Sequence, residues 1–213
     1  MSIGSGSPGR DCPRCPRLAA FRQHWRRNEP TWHNAPVDSF GVVDARLLIV
    51  GLAPGLRGAN RTGRPFTGDY AGDLLYGTLG EFGFSRGKFD ARPDDGLELV
   101  DARITNAVRC VPPENKPTPL EIRTCRDFLK STIEEMDRLR AIVALGRIAH
   151  ESAVRALGHR PSTMAFSHGA KATAGAITLF ASYHCSRYNT STGVLTPEMF
   201  RSVFAKVKAD LSS

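Results

Sequence analysis

The sequence predicts an α/β layered fold built around a parallel sheet. Three observations carry that prediction. The segment Ala45-Arg-Leu-Leu-Ile-Val-Gly-Leu-Ala53 starts polar and then runs apolar, as a strand buried on both faces does. Further short apolar runs, Asp101–Val108, Arg140–Leu145 and Ala176–Tyr183, alternate with helical patterns. Two helices carry explicit start signals: Thr118 followed by Pro119 and Glu121, and Thr196 followed by Pro197 and Glu198. Strands alternating with helices are the pattern of a parallel sheet covered by helices.

Taken in order, Arg17–Arg27 reads as a basic helix carrying Leu18, Phe21 and Trp25. The strand Ala45–Ala53 ends in Pro54-Gly55, and a long Gly/Asn/Arg/Thr loop follows through Asp69. Ala71–Phe82 is helical, with Leu74, Leu75 and Leu79 on one side. Ala91–Glu98 is a charged loop before the second strand, Asp101–Val108. Pro112–Pro119 is a turn-rich link, and the helix capped by Thr118 runs to about Arg138. Arg140–Leu145 is the third strand, and Gly146 turns the chain into helix Arg147–Leu157. Gly158–Gly175 is irregular, and the fourth strand, Ala176–Tyr183, ends at His184. Cys185–Leu195 is a loop, and the last helix runs from Thr196 to about Leu211. There is no internal repeat and no linker, so residues 1–213 form one domain, with a Ser/Gly/Pro-rich, disordered lead over residues 1–9. Ligands of such sheets bind at the carboxyl ends of the strands, here the loops Pro54–Asp69, Asn106–Pro113 and His184–Leu195.

Hydrophobic residues make up 41% of the chain, enough for a buried core. The net charge of +8 favours an anionic partner, with nucleic acid the foremost candidate. No apolar run approaches the roughly 20 residues of a membrane helix, and the N-terminal lead lacks the apolar stretch of a signal peptide. A cytoplasmic protein is expected, and in that compartment clustered cysteines suggest metal before disulfides.

Cys12 and Cys15 form a C-x-x-C pair in a proline-containing knuckle. Cys110 follows a strand end, and Cys125 sits on the helix begun at Thr118. Four thiolates suit zinc or an iron–sulfur cluster, and spacing does not choose between them. The plainer alternative is unrelated buried cysteines acting as small hydrophobes. Cys185 stands apart from the quartet.

The Gly51–Asp69 stretch is the most unusual in the chain. Its glycines let backbone N–H groups approach an anion or a carbonyl. It matches neither G-x-x-x-x-G-K-[ST] nor G-x-G-x-x-G. Arg57, Arg61 and Arg64 are placed to meet phosphates. Phe66 is either a base-stacking ring or a core plug, and Asp69 either a surface ion-pair partner or a catalytic carboxylate.

Together, this loop, Ile104-Thr-Asn-Ala-Val-Arg-Cys-Val-Pro-Pro113 and Tyr183-His-Cys-Ser-Arg-Tyr-Asn-Thr-Ser-Thr-Gly-Val-Leu-Thr196 resemble the uracil-DNA glycosylase superfamily. Within it the match is to family 5, the iron–sulfur branch called type b. The motifs and the cysteine quartet fall in the family's order from Cys12 to Leu211. The resemblance implies a three-layer α/β/α sandwich around a four-stranded parallel sheet. It implies a monofunctional hydrolase that removes a damaged base from single- or double-stranded DNA, leaving an abasic site as the first step of base excision repair. It also implies a structural 4Fe-4S cluster at Cys12, Cys15, Cys110 and Cys125, and a monomer working at the prokaryotic nucleoid.

Site residues follow from the same resemblance. A duplex hides the glycosidic bond, so the base must be flipped into a pocket formed by Gly51, Leu52, Ala53, Pro54, Gly55, Phe66 and Asn106. Phe66 stacks on the base, and Asn106 matches an edge such as uracil O4 and N3–H. Asp69 stabilises the cationic sugar or orients water, with Asp73 its weaker rival, and His184 donates to the departing base. Arg61, Arg64, Ser186, Arg187, Tyr188 and Asn189 contact the DNA strand. Two positions depart from the wider superfamily. Ala53 and Gly55 stand where a polar catalytic residue is common, so the carboxylate falls to Asp69. His184-Cys185-Ser186 replaces the better-known His-Pro-Ser. The alternatives are a non-catalytic or covalent lesion binder on the same fold, and a zinc-stabilised nucleotide-binding module.

Overall fold

The computed structural model describes residues 7–212. Helix α1 (Pro16–Asn28) leads to strands β1 (Phe40–Gly41) and β2 (Leu47–Gly51), a short helix α2 (Ala59–Thr62) and helix α3 (Tyr70–Glu81). A small hairpin, β3 (Ser85–Arg86) with β4 (Glu98–Leu99), precedes β5 (Ala102–Asn106) and α4 (Pro119–Glu134). Then come β6 (Ala141–Leu145), α5 (Arg147–Ala156), β7 (Lys171–Ala174), β8 (Ile177–Ser182), α6 (Arg187–Ser191) and α7 (Pro197–Ser212). Among the described residues no helix is long and apolar enough to cross a membrane.

The main sheet has the order β1-β5-β2-β6-β8-β7. Its four central strands, β5, β2, β6 and β8, are parallel and correspond to the four runs read from the sequence. Side chains alternate along each strand between two cores, as a pleat requires. Leu47, Ile49, Val143 and Phe180 face α3 and α7, through residues such as Leu75, Phe200 and Phe204. Leu48, Val50, Ile142 and Leu179 face α4 and α5, through Leu129, Ala149 and Ala153. The result is helices on both sides of a mostly parallel sheet.

Several expectations need correction. The four parallel strands are as expected, and antiparallel edges β1 and β7, which were not, extend the sheet to six. β1 is only Phe40–Gly41, and β7 (Lys171-Ala-Thr-Ala174) buries one residue, so neither carries an apolar run. α4 stops at Glu134, and the chain turns through Met136 and Leu139 into β6. The Gly-rich loop contains α2, and the Cys185–Leu195 loop contains α6, whose N-cap is Ser186. Residues 7–9 of the expected disordered lead have a defined place, with Pro8 buried against the cysteine knuckle and Cys12 N donating to Gly9 O at 2.9 Å. Residues 1–6 of that lead lie outside the described residues.

α4 begins as its sequence requires. Thr118 Oγ1 accepts from Glu121 N at 3.3 Å, and Glu121 Oε2 accepts from Thr118 N at 2.7 Å. The same carboxylate receives Arg17 Nε at 2.8 Å and Nη2 at 2.7 Å. One acidic residue therefore closes the capping box and ties α1 to α4. Thr118→Ala is expected to cost about 1 kcal/mol, read as a melting temperature lower by about 2–4 °C, with Thr118→Ser close to the parent.

Candidate active site

The carboxyl ends of β2, β5 and β8 surround a cleft of about 320 Å³ that opens to solvent. Leu52, Ala53, Pro54 and Gly55 form one wall, with Phe66, Asp69, Asn106 and His184 around it. The sheet register sets the first contact. Gly51 on β2 is paired with Asn106 on β5, so the two residues leave their strands side by side. Ala107 N and Val108 N then donate to Gly51 O and Leu52 O at 2.9 Å, which carries the pairing past the strand ends.

The glycines of this region make room for the protein's own side chains. A Cβ on Gly51 would lie 2.4 Å from Asn106 Oδ1 and 2.6 Å from the Phe66 ring. A Cβ on Gly58 would lie 2.4 Å from Asp69 Oδ2, and one on Gly55 3.1 Å from the same oxygen. One on Gly72 would strike Phe66 O. Glycine at these places lets the asparagine, the aromatic ring and the carboxylate press against backbone.

Phe66 is 7% exposed and sits at φ +52°, a conformation that bulky residues rarely adopt. Its ring lies 5.9 Å from that of His184, tilted by 27°. It is at once a core residue and a wall of the cleft. Burial pushes His184 down to about 4, so its imidazole is neutral at physiological pH. A neutral imidazole keeps one N–H, which can donate a hydrogen bond to a developing anion. Asp69 reaches solvent at the rim as the N-cap of α3. Burial raises its pKa, the amides of Ala71 and Gly72 at the helix start lower it, and Asp73 adds a smaller upward push. The net direction is upward.

The cysteine quartet lies on the far side of the same loop system. Cys12, Cys15, Cys110 and Cys125 ring a small cavity whose apolar walls include Leu18, Val108 and Phe128. All are free thiols. Among the described residues no three metal-ligating side chains stand close enough to share a single ion. Arg109 N donates to Cys125 Sγ and Arg22 Nη1 to Cys110 Sγ, each at 3.3 Å. Burial pushes the Cys110 thiol up to about 11 and that of Cys125 up to about 12. Cys185 is fully buried in the other core, where its thiol donates to Ala71 O at 3.5 Å.

Residues 38–208 match the family model described as the uracil DNA glycosylase superfamily. A type-5 uracil-DNA glycosylase from Thermus thermophilus is 47% identical over 204 residues, covering 92% of each chain. One from Pyrobaculum aerophilum is 40% identical, covering 94% of this chain and 89% of the relative. One from Mycobacterium bovis is 42% identical, covering 92% of this chain and 77% of the relative. The chain belongs to the uracil-DNA glycosylase superfamily. That membership gives the C-terminal edge of the sheet its significance, because the three stretches that carried the resemblance all converge there.

The residues nominated for DNA contact in this superfamily member divide into distinct groups. Arg57 and Arg61 are exposed on the Gly-rich loop. Arg187 is exposed over the Tyr70 ring at 5.2 Å, and Tyr188 is 73% exposed at the tip of α6. Ser186 lines the cleft, and its Oγ caps α6 by accepting from Asn189 N. Asn189 directs its Nδ2 to His184 O at 2.8 Å, so it props the histidine backbone. Arg64 is a clear correction. It is 5% exposed and forms a two-pronged pair with Asp95 at 2.8 and 2.7 Å, while Nε donates to Thr67 Oγ1 at 2.7 Å. Its guanidinium lies over Phe40, Tyr76 and Phe89 at 5.2–5.6 Å. The pair holds the Asp95 carboxyl well below the usual carboxylate range. Arg64 is therefore a buried clamp behind Phe66 and has no surface to offer a phosphate.

Sequence reading missed Asn115, which also lines the cleft. It follows Glu114, and the two sit at φ +57° and +55°. The available signal was an asparagine after Pro112-Pro113, since asparagine tolerates left-handed backbone. Arg64→Ala strands a buried carboxylate and is expected to cost about 3–5 kcal/mol in a thermal melt, whereas Arg61→Ala should leave the melt unchanged and weaken DNA binding.

Proposed function

We propose that the chain is a type-5 uracil-DNA glycosylase that hydrolyses the N-glycosidic bond of a flipped-out uracil. The observation that carries this reading is the convergence of Phe66, Asp69, Asn106 and His184 on one cleft at the carboxyl edge of the sheet. The base enters against the Phe66 ring. Asn106, held beside Gly51, offers both a donor and an acceptor to the base edge. As the bond breaks, charge separates: the sugar becomes cationic and the base anionic. Asp69 stands for the cation and for the water that adds to the sugar carbon. Neutral His184 stands for the anion. Asn189 fixes the histidine backbone.

The outer surface suits a polyanion. The net charge is +8, and Arg57, Arg61 and Arg187 are exposed near the cleft. Contacts of that kind make binding fall with salt. Uracil and other deaminated or alkylated bases are the proposed substrates. The absence of a polar side chain at Ala53 and Gly55 supports a permissive slot. A monomer acting on nucleoid DNA completes the reading, in keeping with bacterial and archaeal relatives.

The cysteines are proposed to hold a structural 4Fe-4S cluster. Four free thiols around one cavity, two of them receiving N–H donors, fit such a group. Cys110 lies four residues past Asn106, so the cluster supports the loop that reads the base.

Asp69→Asn should lower single-turnover uracil release by about two orders of magnitude or more while duplex binding persists. The wild-type rate should decline on the acid side at a pH above 3.8, because the Asp69 carboxylate must be ionised and its pKa is raised. Full excision by the variant overturns the assignment. His184→Ala should slow release about a hundredfold, and an unchanged rate removes the histidine from the chemistry.

A further inference from the structure

We propose that Arg22 is the built-in counter-charge of the cysteine cavity, holding an anionic cluster there at the expense of the empty protein's stability. The proposal rests on the cluster reading above. Arg22 is 2% exposed on α1, where an arginine would ordinarily reach solvent. Nη1 donates to Cys110 Sγ at 3.3 Å, and Nη2 donates to Cys12 O at 3.1 Å. Nε is buried without a partner. Its guanidinium therefore bridges the N-terminal knuckle and the Cys110 loop, the two sequence-distant halves of the cysteine set.

No carboxylate is paired with Arg22 among the described residues. Asp11, which its field reaches, is exposed and committed to Arg26. The side chains of the other arginines near the cavity point away from sulfur. Arg14 pairs with Asp127 at 3.1 Å and lies over Phe128. Arg109, also buried, directs its guanidinium to Thr132 Oγ1 at 2.7 Å and Val37 O at 3.4 Å; its charge reaches Cys125, but it offers sulfur only its backbone N–H. Arg22 alone among the described residues aims a charged side chain at a cysteine sulfur.

A buried cation without a counter-charge is destabilising, because it has given up its water and gained no partner charge. Four cysteine thiolates around a 4Fe-4S core carry net negative charge and reverse that penalty. Arg22 should thus act with opposite sign on the two forms. It tightens the loaded protein and weakens the empty one. A side chain that merely filled space would affect both in the same direction.

The test compares wild type, Arg22→Met and Arg22→Lys, each purified anaerobically as the full chain. Iron per chain is measured, together with the rate at which a chelator bleaches the visible absorbance and the melting temperature before and after iron removal. Arg22→Met should bleach about tenfold faster or more, yet melt no lower than wild type once iron is removed. Arg22→Lys, which keeps the charge and loses the fork, should bleach at an intermediate rate. Equal bleaching in all proteins overturns the proposal and leaves the cluster standing. Equal destabilisation of loaded and empty Arg22→Met overturns it in favour of a packing role. Iron-free wild type overturns the cluster reading and this proposal with it.

Discussion

The contact on which the site depends is the one between Gly51 and Asn106. Parallel pairing of β2 with β5 sets them opposite each other, and the missing side chain at Gly51 lets the Asn106 oxygen and the Phe66 ring meet over bare backbone. Everything else in the cleft is arranged around that meeting. Gly55 and Gly58 repeat the device for Asp69, and Gly72 repeats it for the backbone of Phe66. The slot is thus cast largely in main chain. Its shape follows from strand register, which a change in one side chain does not move.

The same geometry separates what was legible in the sequence from what was not. The four central strands were legible because each is buried on both faces, and continuous burial leaves a continuous apolar run. The edge strands were not, because β1 is two half-buried residues and β7 is short with one buried residue. Of the site, Asp69, Asn106, Phe66 and His184 were read from motifs, and the structure brings them together. Arg64 misled because an arginine in a Gly-rich loop looks like a phosphate ligand. Its partner Asp95 lies 31 residues away, and pairing at that distance leaves no local trace. The bond from Asn189 to His184 O was not legible either, since nothing in Arg187-Tyr188-Asn189 says which residue turns back toward His184.

The glycine stretch carries a broader lesson. Loops rich in glycine and arginine invite an account in which backbone amides receive a ligand. Here glycine accommodates residues of the chain itself, and the two readings differ in what a methyl group would strike. The cysteine knuckle adds a second support from outside the sheet. Arg17, through Glu121, and Arg22, through Cys110, bind α1 to the segment that follows β5.

Phe66 is locked before any base arrives. Its backbone is held in the left-handed region, Gly72 admits its carbonyl, and Arg64, Thr67 and Tyr76 close behind it, with Tyr76 Oη donating to Pro65 O at 2.6 Å. Ordering this loop is therefore a cost of folding and not of association. An extruded base would meet a surface with no conformational search left to perform. The barrier to capture would then lie in the nucleic acid, in how readily a given base pair opens, and lesions that pair weakly would be favoured before any group in the cleft discriminates among them.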